Sequence, residues 1–423
     1  MELMTKQGFK QTEVGLIPED WDSKSISEIS NPVRGGSPRP AGSPKYFNGD
    51  FIPWLTVASL TNIPNSQIFV TETKSFLTEA GSHLSRKLEK GTLIIANSGA
   101  TLGVAKLLGI KCCANDGVAA LQEIDKNVYP NYLVYYINTI TKRLREDIAT
   151  GNGQPNLNTE LIGNIQIPIP PTLTEQKAIA TALSDVDALI TSLEQTITKK
   201  KAIKQGAMQQ LLTPPHKGGK RLPGFSGVWV EKTLGEVVNF SKGKGLSKDK
   251  ITDDGKNKCV LYGELFTTYK DSINNVFNRT DSMEGVRSIE GDILLPGSTT
   301  TTGIDLATTS CLKLNNVLLG GDINILRPKI EVDSLFLSRY VSHNLKEEIL
   351  QRTQGITIIH LYGHSLNKVS VFIPTVIKEQ EAISTILSDM DAEITQLESK
   401  KEKYQAIKQG MMQELLTGKT RLI

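Results

Sequence analysis

Two short glycine-containing segments have the residue types that bind phosphate or a dinucleotide, but the spacing of neither fits. The Gly-Lys-Thr tripeptide at 418–420 resembles the end of a phosphate-binding loop, in which backbone amides surround the phosphate and the lysine neutralises it. That loop needs its first glycine at a position occupied by Gln413. The Gly-Asn-Gly-Gln segment at 151–154 lacks the third glycine of a dinucleotide-binding turn. We therefore predict no nucleotide site in this chain.

A pair of histidines has the spacing of a zinc site. His360 and His364 stand four residues apart, which on a helix would place both imidazoles on one face. Leu361 occupies the position where a zinc protease has its general-base glutamate, and Gly363 favours a turn. We therefore predict no metal site here.

Signatures of other enzymes are also missing from the sequence. An adenine methyltransferase would need a polar-Pro-Pro-aromatic motif and a glycine-rich cofactor loop, and the nearest double proline, at 214–215, belongs to a linker. We interpret the cysteines as core thiols, because they form no C-x-x-C pair and have no histidine nearby. These residues are Cys112, Cys113, Cys259 and Cys311. We predict no catalytic residue and no cofactor in this chain.

Several loops have a composition suited to nucleic acid. Cations alternate with glycine and proline in NPVRGGSPRP and KGKGLSKDK, so positive charge and backbone amides lie together, as phosphate binding requires. Other loops carry hydroxyl and amide side chains, which donate to and accept from base edges. The candidate DNA-binding residues are Arg34, Arg39, Ser98, Thr101, Gln154, Asn156, Lys242, Lys244, Lys248, Ser298 and Thr300. Each could equally be a solvated loop residue.

The composition is that of an ordinary globular protein. The 423 residues include 48 Lys and Arg against 45 Asp and Glu, a formal charge of +3 that alone does not indicate a nucleic-acid partner. Hydrophobic residues make up 39%, and no apolar run is long enough for a membrane span. The first residues lack the apolar stretch of a signal peptide, so we expect a cytoplasmic protein without membrane contact.

An internal duplication is the strongest pattern in the sequence. Residues 175–213 align without a gap with 379–417 at a constant offset of 204, and about two-thirds of the positions are identical. Both copies repeat apolar residues with the spacing of a coiled-coil seam, which predicts two long helices. The seam residues are Ile179, Leu183, Val186, Ile190, Leu193, Ile197, Ile383, Leu387, Met390, Ile394, Leu397 and Tyr404. We expect the helices to pair with each other; the alternative is two surface helices, each on its own domain.

The segments between the long helices repeat more faintly. Each begins with a tryptophan, in DWDSKSISEIS and VWVEKTLGEVV, and ends on an Ile-Pro element directly before the helix. The predicted order is a domain at 1–171, a helix at 172–213, a linker at 214–227, a second domain at 228–374, and a second helix with a tail at 375–423.

These motifs resemble those of the specificity subunits of type I restriction-modification systems. The resemblance rests on GNGQPNLNTELIGNIQIPIPPTLTEQKAIATALSDVDALI, on the repeated AIKQGxMQxLLT and on the ending LLTGKTRL, and it covers essentially the whole chain. The second copy departs from the pattern, because it reads QGITIIHLYGHSLNKVSVFIP without the GQPNL of the first.

The resemblance implies a non-catalytic reader of double-stranded DNA. The implied fold is α+β, with two mixed α/β target recognition domains, two long antiparallel coiled-coil helices and pseudo-twofold symmetry. Each domain would read one half of an asymmetric bipartite sequence, and the helices would set the gap. The implied partners are two methyltransferase subunits that use S-adenosylmethionine, and restriction subunits that use ATP and Mg²⁺.

Two other functions remain open from the residues alone. The chain could be a fragment of a larger DNA-modifying enzyme, which a methylation assay would reveal. It could also be a coiled-coil scaffold without a DNA role, and it would then show no salt-dependent affinity for DNA.

Overall fold

A computed structural model of the chain describes residues 8–149 and 155–422. The chain divides into two compact units. The first unit is drawn from 1–196 and 397–423, and the second from 197–396. Each unit therefore contains one globular part and one half of each long helix.

The first globular part is built from short strands and helices and is followed by the long helix α7, which the two units share. Its strands are β1 Phe9–Thr12, β2 Gly15–Pro18, β3 Asp22–Ser25, β4 Asn31–Arg34, β5 Phe47–Leu55, β6 Phe69–Val70, β7 Ser75–Leu77, β8 Arg86–Leu88, β9 Leu93–Ala96, β10 Ala105–Leu108, β11 Cys112–Ala114, β12 Val118–Gln122 and β13 Gln166–Ile169. Its helices are α1 Ile26–Ile29, α2 Val57–Thr61, α3 Glu79–His83, α4 Pro130–Thr139, α5 Thr141–Arg143, which continues into a π-helical turn at Leu144–Ile148, α6 Thr159–Gly163 and α7 Leu173–Leu211.

The second globular part repeats this plan and is followed by the long helix α12, which the two units also share. Its strands are β14 Trp229–Thr233, β15 Val238–Lys242, β16 Asn257–Val260, β17 Ser272–Ile273, β18 Arg279–Thr280, β19 Val286–Arg287, β20 Ile293–Pro296, β21 Ser298–Thr299, β22 Ser310–Leu312, β23 Leu318–Leu319, β24 Ile323–Pro328, β25 Ile359–His360 and β26 Ser370–Pro374. Its helices are α8 Leu234–Val237, α9 Glu264–Thr267, α10 Ser334–Asn344, α11 Lys346–Leu350 and α12 Ile377–Leu415, with 3-10 turns at Pro215–Lys217, Lys248–Lys250, Gly303–Ala307 and Gly363–Leu366.

Both units contain the same two mixed sheets. The five-stranded sheet has the order β4-β12-β9-β10-β6 in the first unit and β15-β24-β20-β22-β17 in the second. The four-stranded sheet has the order β7-β5-β11-β8 and, correspondingly, β18-β16-β23-β19. In the first unit β10 is parallel to the edge strand β6, and in the second unit β22 is parallel to the edge strand β17. All other strand pairs of the two larger sheets are antiparallel. The α+β fold and the duplication expected from the sequence are thereby confirmed.

The central strand β9 is buried on both faces, and this explains its continuous apolar sequence. Leu93 and Ile95 pack in the core that contains α4, whereas Ile94 and Ala96 pack in the core between the two sheets. The cysteines lie in these interiors as buried free thiols, and burial raises the pKa of Cys112 to about 12.

The long helices run antiparallel within each unit. Asp187, in the first half of α7, pairs with Lys408 near the end of α12, and Lys204 near the end of α7 pairs with Asp391 in the first half of α12. The predicted antiparallel pairing of the two long helices is therefore confirmed: within each unit, the first half of one helix lies beside the last part of the other.

The predicted seam is mostly buried, but its outer residues do more than join the helices. Ile179 and Leu183 belong to the core of the first globular part, together with Leu415, and Ile383 and Leu387 belong to that of the second. Apart from these, the buried seam residues are Ile190, Leu193, Ile197 and Ile394, and the half-buried ones are Val186, Met390, Leu397 and Tyr404. The apolar stripe therefore fastens each helix end to a domain.

Within the described ranges, no helix is both long and apolar enough to cross a bilayer.

Candidate nucleic-acid interface

A polar cleft of about 310 Å³ lies in the first unit where β4 ends. The turn before β12, the segment after β9 and the segment before α6 form its other walls. Its lining residues are Arg34, Val57, Ser98, Asn115, Asp116, Gly117, Pro155 and Asn156. The cleft brings together Arg34, Ser98 and Asn156, three of the residues that the sequence predicted to bind DNA.

Glycine allows the chain to pass close to the turn that forms this cleft. The Gly35 amide donates to the Val118 carbonyl at 2.8 Å, and a Cβ at position 35 would overlap with the Asn115 carbonyl oxygen. In the second unit the Gly243 amide donates to Ile323, and a Cβ there would overlap with the Gly320 carbonyl. Any larger residue would push the preceding cation away from the cleft.

Asp116 orders the cations of the first cleft. The Arg34 Nε donates to the Asp116 backbone carbonyl at 2.8 Å, and the Arg39 guanidinium lies 3.7 Å from the Asp116 carboxylate. The Ser37 hydroxyl donates to this carboxylate at 2.6 Å, and this bond is the main reason why the pKa of Asp116 lies below its usual range. Both arginines are exposed, so their charge faces solvent at the rim.

The second unit builds the same arrangement from different residues. Lys242 stands at the end of β15 as Arg34 does at the end of β4, and its ammonium lies 2.9 Å from the Asp322 carboxylate. The Ser298 hydroxyl donates to Asp322 at 3.1 Å. Burial acts to raise the pKa of Asp322, but the bonds from Lys242 and Ser298 outweigh it and hold that pKa below the ordinary value.

The segment around His360, which lacks the GQPNL motif, takes the place in the second unit that the Asn156 segment has in the first. Ser98 forms a backbone bridge with Asn156, and Ser298 pairs with His360 in the same antiparallel sense. The backbone amide one residue later donates in both units, from Leu157 to the Asn97 carbonyl and from Leu361 to that of Gly297. His360 and Leu361 therefore take the places of Asn156 and Leu157 without loss of the local backbone pairing.

The other predicted residues differ in their exposure. Lys244, Lys248 and Thr300 are exposed, and Thr101 is half-buried in the turn after β9. Ser298 is only 5% exposed, so it supports Asp322 more than it faces solvent. Gln154 lies outside the described residues.

A buried ionic cluster, missed by the sequence reasoning, joins the helices to α4 in the first unit. The Asp187 carboxylate accepts from the Tyr135 hydroxyl at 2.9 Å and lies 2.7 Å from the Lys408 ammonium. Burial raises the pKa of Asp187 even though Lys408 opposes the shift. Lys106, which is 2% exposed, donates to two backbone carbonyls, and burial followed by repulsion from Lys408 lowers its pKa to about 8.

The second unit has the equivalent cluster. Asp391 lies 2.6 Å from Lys204 and 3.1 Å from Arg339, and Asp271 contacts the same two cations at 3.5 and 3.3 Å. Asp187 and Asp391 are related by the offset of 204, as are Lys204 and Lys408. Identity of these charged residues in both copies, beside the apolar seam, was the signal that could have revealed them.

A second set of ion pairs explains the Glu-Gln start of each long helix. In the first unit Arg421 forms hydrogen bonds with both Glu175 and Asp20, which raise its pKa. In the second unit Arg221 donates to Glu379 at 2.6 Å, and the Trp229 indole donates to the same carboxylate at 3.4 Å. The segment after one helix therefore fastens to the start of the other within each unit.

The adjacent glutamines hold the helix starts against the domains. The Gln176 amide accepts from the Tyr129 backbone N–H at 2.8 Å and donates to the Pro170 carbonyl at 3.1 Å. The Gln380 amide accepts from the Asp333 N–H at 2.9 Å and donates to Pro374 at 2.8 Å.

The cleft of the first unit offers a cation, a hydroxyl and amides, a combination that binds phosphates and base edges. In the part of the chain that the structure describes, no group of three or more His, Cys, Asp or Glu side chains is placed to hold a metal ion. His360 and His364 flank Tyr362, at ring-centroid distances of 6.3 and 5.9 Å from it.

Comparison with known proteins identifies relatives over the whole chain. The family model for the type I restriction modification DNA specificity domain matches residues 18–205 and 227–409. The type I restriction enzyme MjaVIII specificity subunit of Methanocaldococcus jannaschii is 25% identical over 458 residues, covering 100% of this chain and 98% of the relative. The EcoKI specificity subunit of Escherichia coli K12 is 25% identical over 204 residues, covering 46% of this chain and 43% of the relative.

Solved structures share the fold. The crystal structure of a type I restriction-modification S subunit from M. genitalium superposes with a TM-score of 0.59 at 16% identity, covering 98% of both chains. A chain from a study of complex assembly and conformational transition of the type I system has a TM-score of 0.57 at 17% identity, covering 96% of this chain and 99% of its own length.

Proposed function

The chain belongs to the type I restriction-modification DNA specificity domain family, and from this premise we propose that it is the subunit that selects the DNA sequence for a methyltransferase and a restriction endonuclease. Each unit reads one half of an asymmetric bipartite target in double-stranded DNA. The alternative from the sequence, a scaffold without a DNA role, leaves the polar cleft of the first unit and the matching arrangement around Lys242 without a purpose.

The observation that carries this proposal is the recurrence of one side-chain arrangement in both units. Each has a cation at the end of the first strand of the larger sheet, an aspartate in the facing turn and a serine on the neighbouring segment. The architecture is the same in both, while the residues differ: Arg34 against Lys242, and Asn156 against His360. Equivalent positions with different side chains suit two domains that read different bases.

The long helices carry features suited to docking two copies of one partner. Ile203 and Ile407 occupy equivalent positions and are 47% and 41% exposed. Gly206 and Gly410 lie nearby on the same helices, and nothing lies within 4 Å of where a Cβ would stand. A mid-helix glycine costs about 1 kcal/mol relative to alanine, and close approach of a partner helix would compensate for that cost. These repeated patches support the docking of two methyltransferase subunits.

In this proposal the chain is not itself an enzyme. S-adenosylmethionine is used by the methyltransferase subunits, and ATP and Mg²⁺ by the restriction subunits, while this chain supplies sequence selection. The proposed place of action is the cytoplasm, where the bacterial or archaeal chromosome lies.

A domain exchange tests the proposal. Residues 20–150 are replaced by the matching domain of a relative, the chain is expressed with its methyltransferase, and the methylated sequences are read across the host genome. We expect one half-site to change while the other stays the same. The reciprocal exchange of 228–374 should alter only the other half-site.

Two outcomes would contradict the proposal. The modular assignment is wrong if either exchange alters both half-sites together. A DNA role is excluded if the unmodified assembly shows neither methylation nor salt-dependent affinity for DNA.

The helices are proposed to set the gap between the half-sites. Four added residues, about one turn, near Thr196 in α7, with a matching insertion near Lys400 in α12, should lengthen the gap and leave both half-sites unchanged. An unchanged gap with an altered half-site would contradict this role.

A further inference from the structure

A loop in the second unit presents apolar side chains to solvent. The loop spans Gln354–His360, and we name it the Ile356 loop. Ile356 is 98% exposed and Ile358 is 49% exposed. Full exposure of a large aliphatic side chain forgoes the free energy of burial, so this tip is suited to a surface that covers it.

The Ile356 loop is held in shape by backbone hydrogen bonds. The Gln354 amide donates to the His360 carbonyl at 2.9 Å, and the His360 amide donates back to the Gln354 carbonyl at 2.7 Å. Gly355 has a φ of +114°, a conformation that other residues rarely adopt, and a Cβ there would overlap with the Ile358 carbonyl. The closed base and the glycine turn project Ile356 outwards.

The base of the loop belongs to the contact network around Asp322. His360 pairs with Ser298 along β21 and β25, and Ser298 donates to the Asp322 carboxylate that also holds Lys242. The base of the loop is thus linked to Lys242 through Ser298 and Asp322. In the major groove of a DNA duplex, an aliphatic side chain makes its base-specific contact with the C5-methyl of thymine.

The first half of the sequence carries amides at the equivalent positions. At the offset of 204, Asn152 corresponds to Ile356 and Gln154 to Ile358. Amide side chains form paired hydrogen bonds with adenine, whereas aliphatic side chains contact thymine methyls. The corresponding positions therefore carry amides in one half of the sequence and aliphatic side chains in the other, which is the difference expected if the two halves read different bases.

We propose that the Ile356 loop is a specificity determinant of the second unit, which recognises thymine by contact of Ile356 and Ile358 with its C5-methyl group. This inference rests on the proposed function as a DNA reader. It adds the residues and the chemical group that are recognised.

The first test alters the DNA and leaves the protein intact. The complete complex with methyltransferase binds duplexes in which each thymine of the half-site read by the second unit is replaced in turn by uracil, which lacks the methyl group. We expect at least one replacement to weaken binding by about fourfold for each methyl removed from an apolar contact. The same replacement in the other half-site serves as the comparison.

The second test alters the loop to match the first half of the chain. Ile356→Asn with Ile358→Gln should change or relax the same position of the same half-site and abolish its sensitivity to uracil. Ile289→Asn is the matched control, because Ile289 is 50% exposed and precedes β20, at the opposite end of that strand from Ser298. The control should retain both the half-site and the uracil effect.

Several results would overturn the inference. They are a second half-site without thymine, uracil replacements that leave affinity unchanged, or a double variant with unaltered sequence preference. The loop would instead be assigned to a protein contact if the double variant no longer assembled with the methyltransferase and uracil replacement did not weaken DNA binding by the wild type. If the wild-type complex shows no sequence preference at all, the proposed function itself fails, and the two failures are thereby distinguished.

Discussion

The Asp187 carboxylate lies 2.7 Å from the Lys408 ammonium, and the two residues come from the first half of α7 and the end of α12. The equivalent residues of the second copy, Asp391 and Lys204, pair in the same way at 2.6 Å. One acidic position and one basic position of a single ancestral helix thus became two interhelical ion pairs when the helix was duplicated and paired antiparallel. A shift of one helix by a turn would separate both pairs, so they favour one register.

Removal of one partner of the Asp187 pair should be costly. Lys408→Met leaves a carboxylate that is 5% exposed without its cation, and such losses are about 3–5 kcal/mol. Chemical denaturation of the wild type and variant measures the difference. Lys204→Met is the matched control, since Arg339 still lies beside Asp391, and its loss should be smaller. Equal losses in the two units would contradict this explanation.

Stability should depend on the protonation of Lys106. Burial lowers its folded pKa to about 8, from 10.5 in the unfolded chain. Between these values the unfolded chain binds more protons, so the contribution of Lys106 to stability rises with pH and is complete above 10.5. The free energy of unfolding of the wild type minus that of Lys106→Met should therefore increase from pH 8 to 10.5. A flat or falling difference would show that the ammonium is not destabilised by burial.

Lys244 and Lys242 should contribute differently to DNA affinity. Lys244 is exposed, whereas Lys242 is neutralised in part by Asp322 at 2.9 Å. We expect Lys244→Ala to weaken binding to all sequences and to reduce the slope of log affinity against log salt by about 0.9, the value for one phosphate contact. Lys242→Ala should change the slope less. DNA-binding titrations of both variants at several salt concentrations measure these slopes. A loss of affinity confined to one DNA sequence would instead assign Lys244 to base reading.

The helix glycines should govern the number of methyltransferase subunits bound. Gly206→Leu and Gly410→Leu should each remove one copy by obstructing close approach, and the double variant should bind none. Gly206→Ala is the control for folding, because it adds a methyl group in open space and should stabilise the helix by about 1 kcal/mol. Native mass spectrometry reports the stoichiometry. Two bound copies on the double leucine variant would exclude this docking surface.

The long helices and the duplication could be read from the sequence, because both depend on local or self-repeating patterns. The range predicted for the first helix was 172–213, and α7 extends over Leu173–Leu211; the second begins at Ile377. Apolar residues at helical spacing must lie on one face, whatever surrounds them. The polar and cationic composition of the cleft loops was equally visible.

The roles of individual cleft residues depended on contacts between distant parts of the chain. Ser298 and Thr300 were predicted from the same hydroxyl-rich loop sequence. Ser298 is buried and donates to Asp322, whereas Thr300 is exposed. His360 shared no motif with Asn156, although each pairs with the serine after the central strand of its sheet.

The sequence by itself determined the repeated order of domain and helix, the helix faces and the chemical character of the loops. Only the tertiary structure decided which cations are neutralised, which side chains line a cleft, and that Asp187 and Asp391 are charged groups at a helix interface. The reason is physical: periodicity follows from the geometry of one element, whereas burial and ion pairing depend on distances between residues as far apart as Asp187 and Lys408.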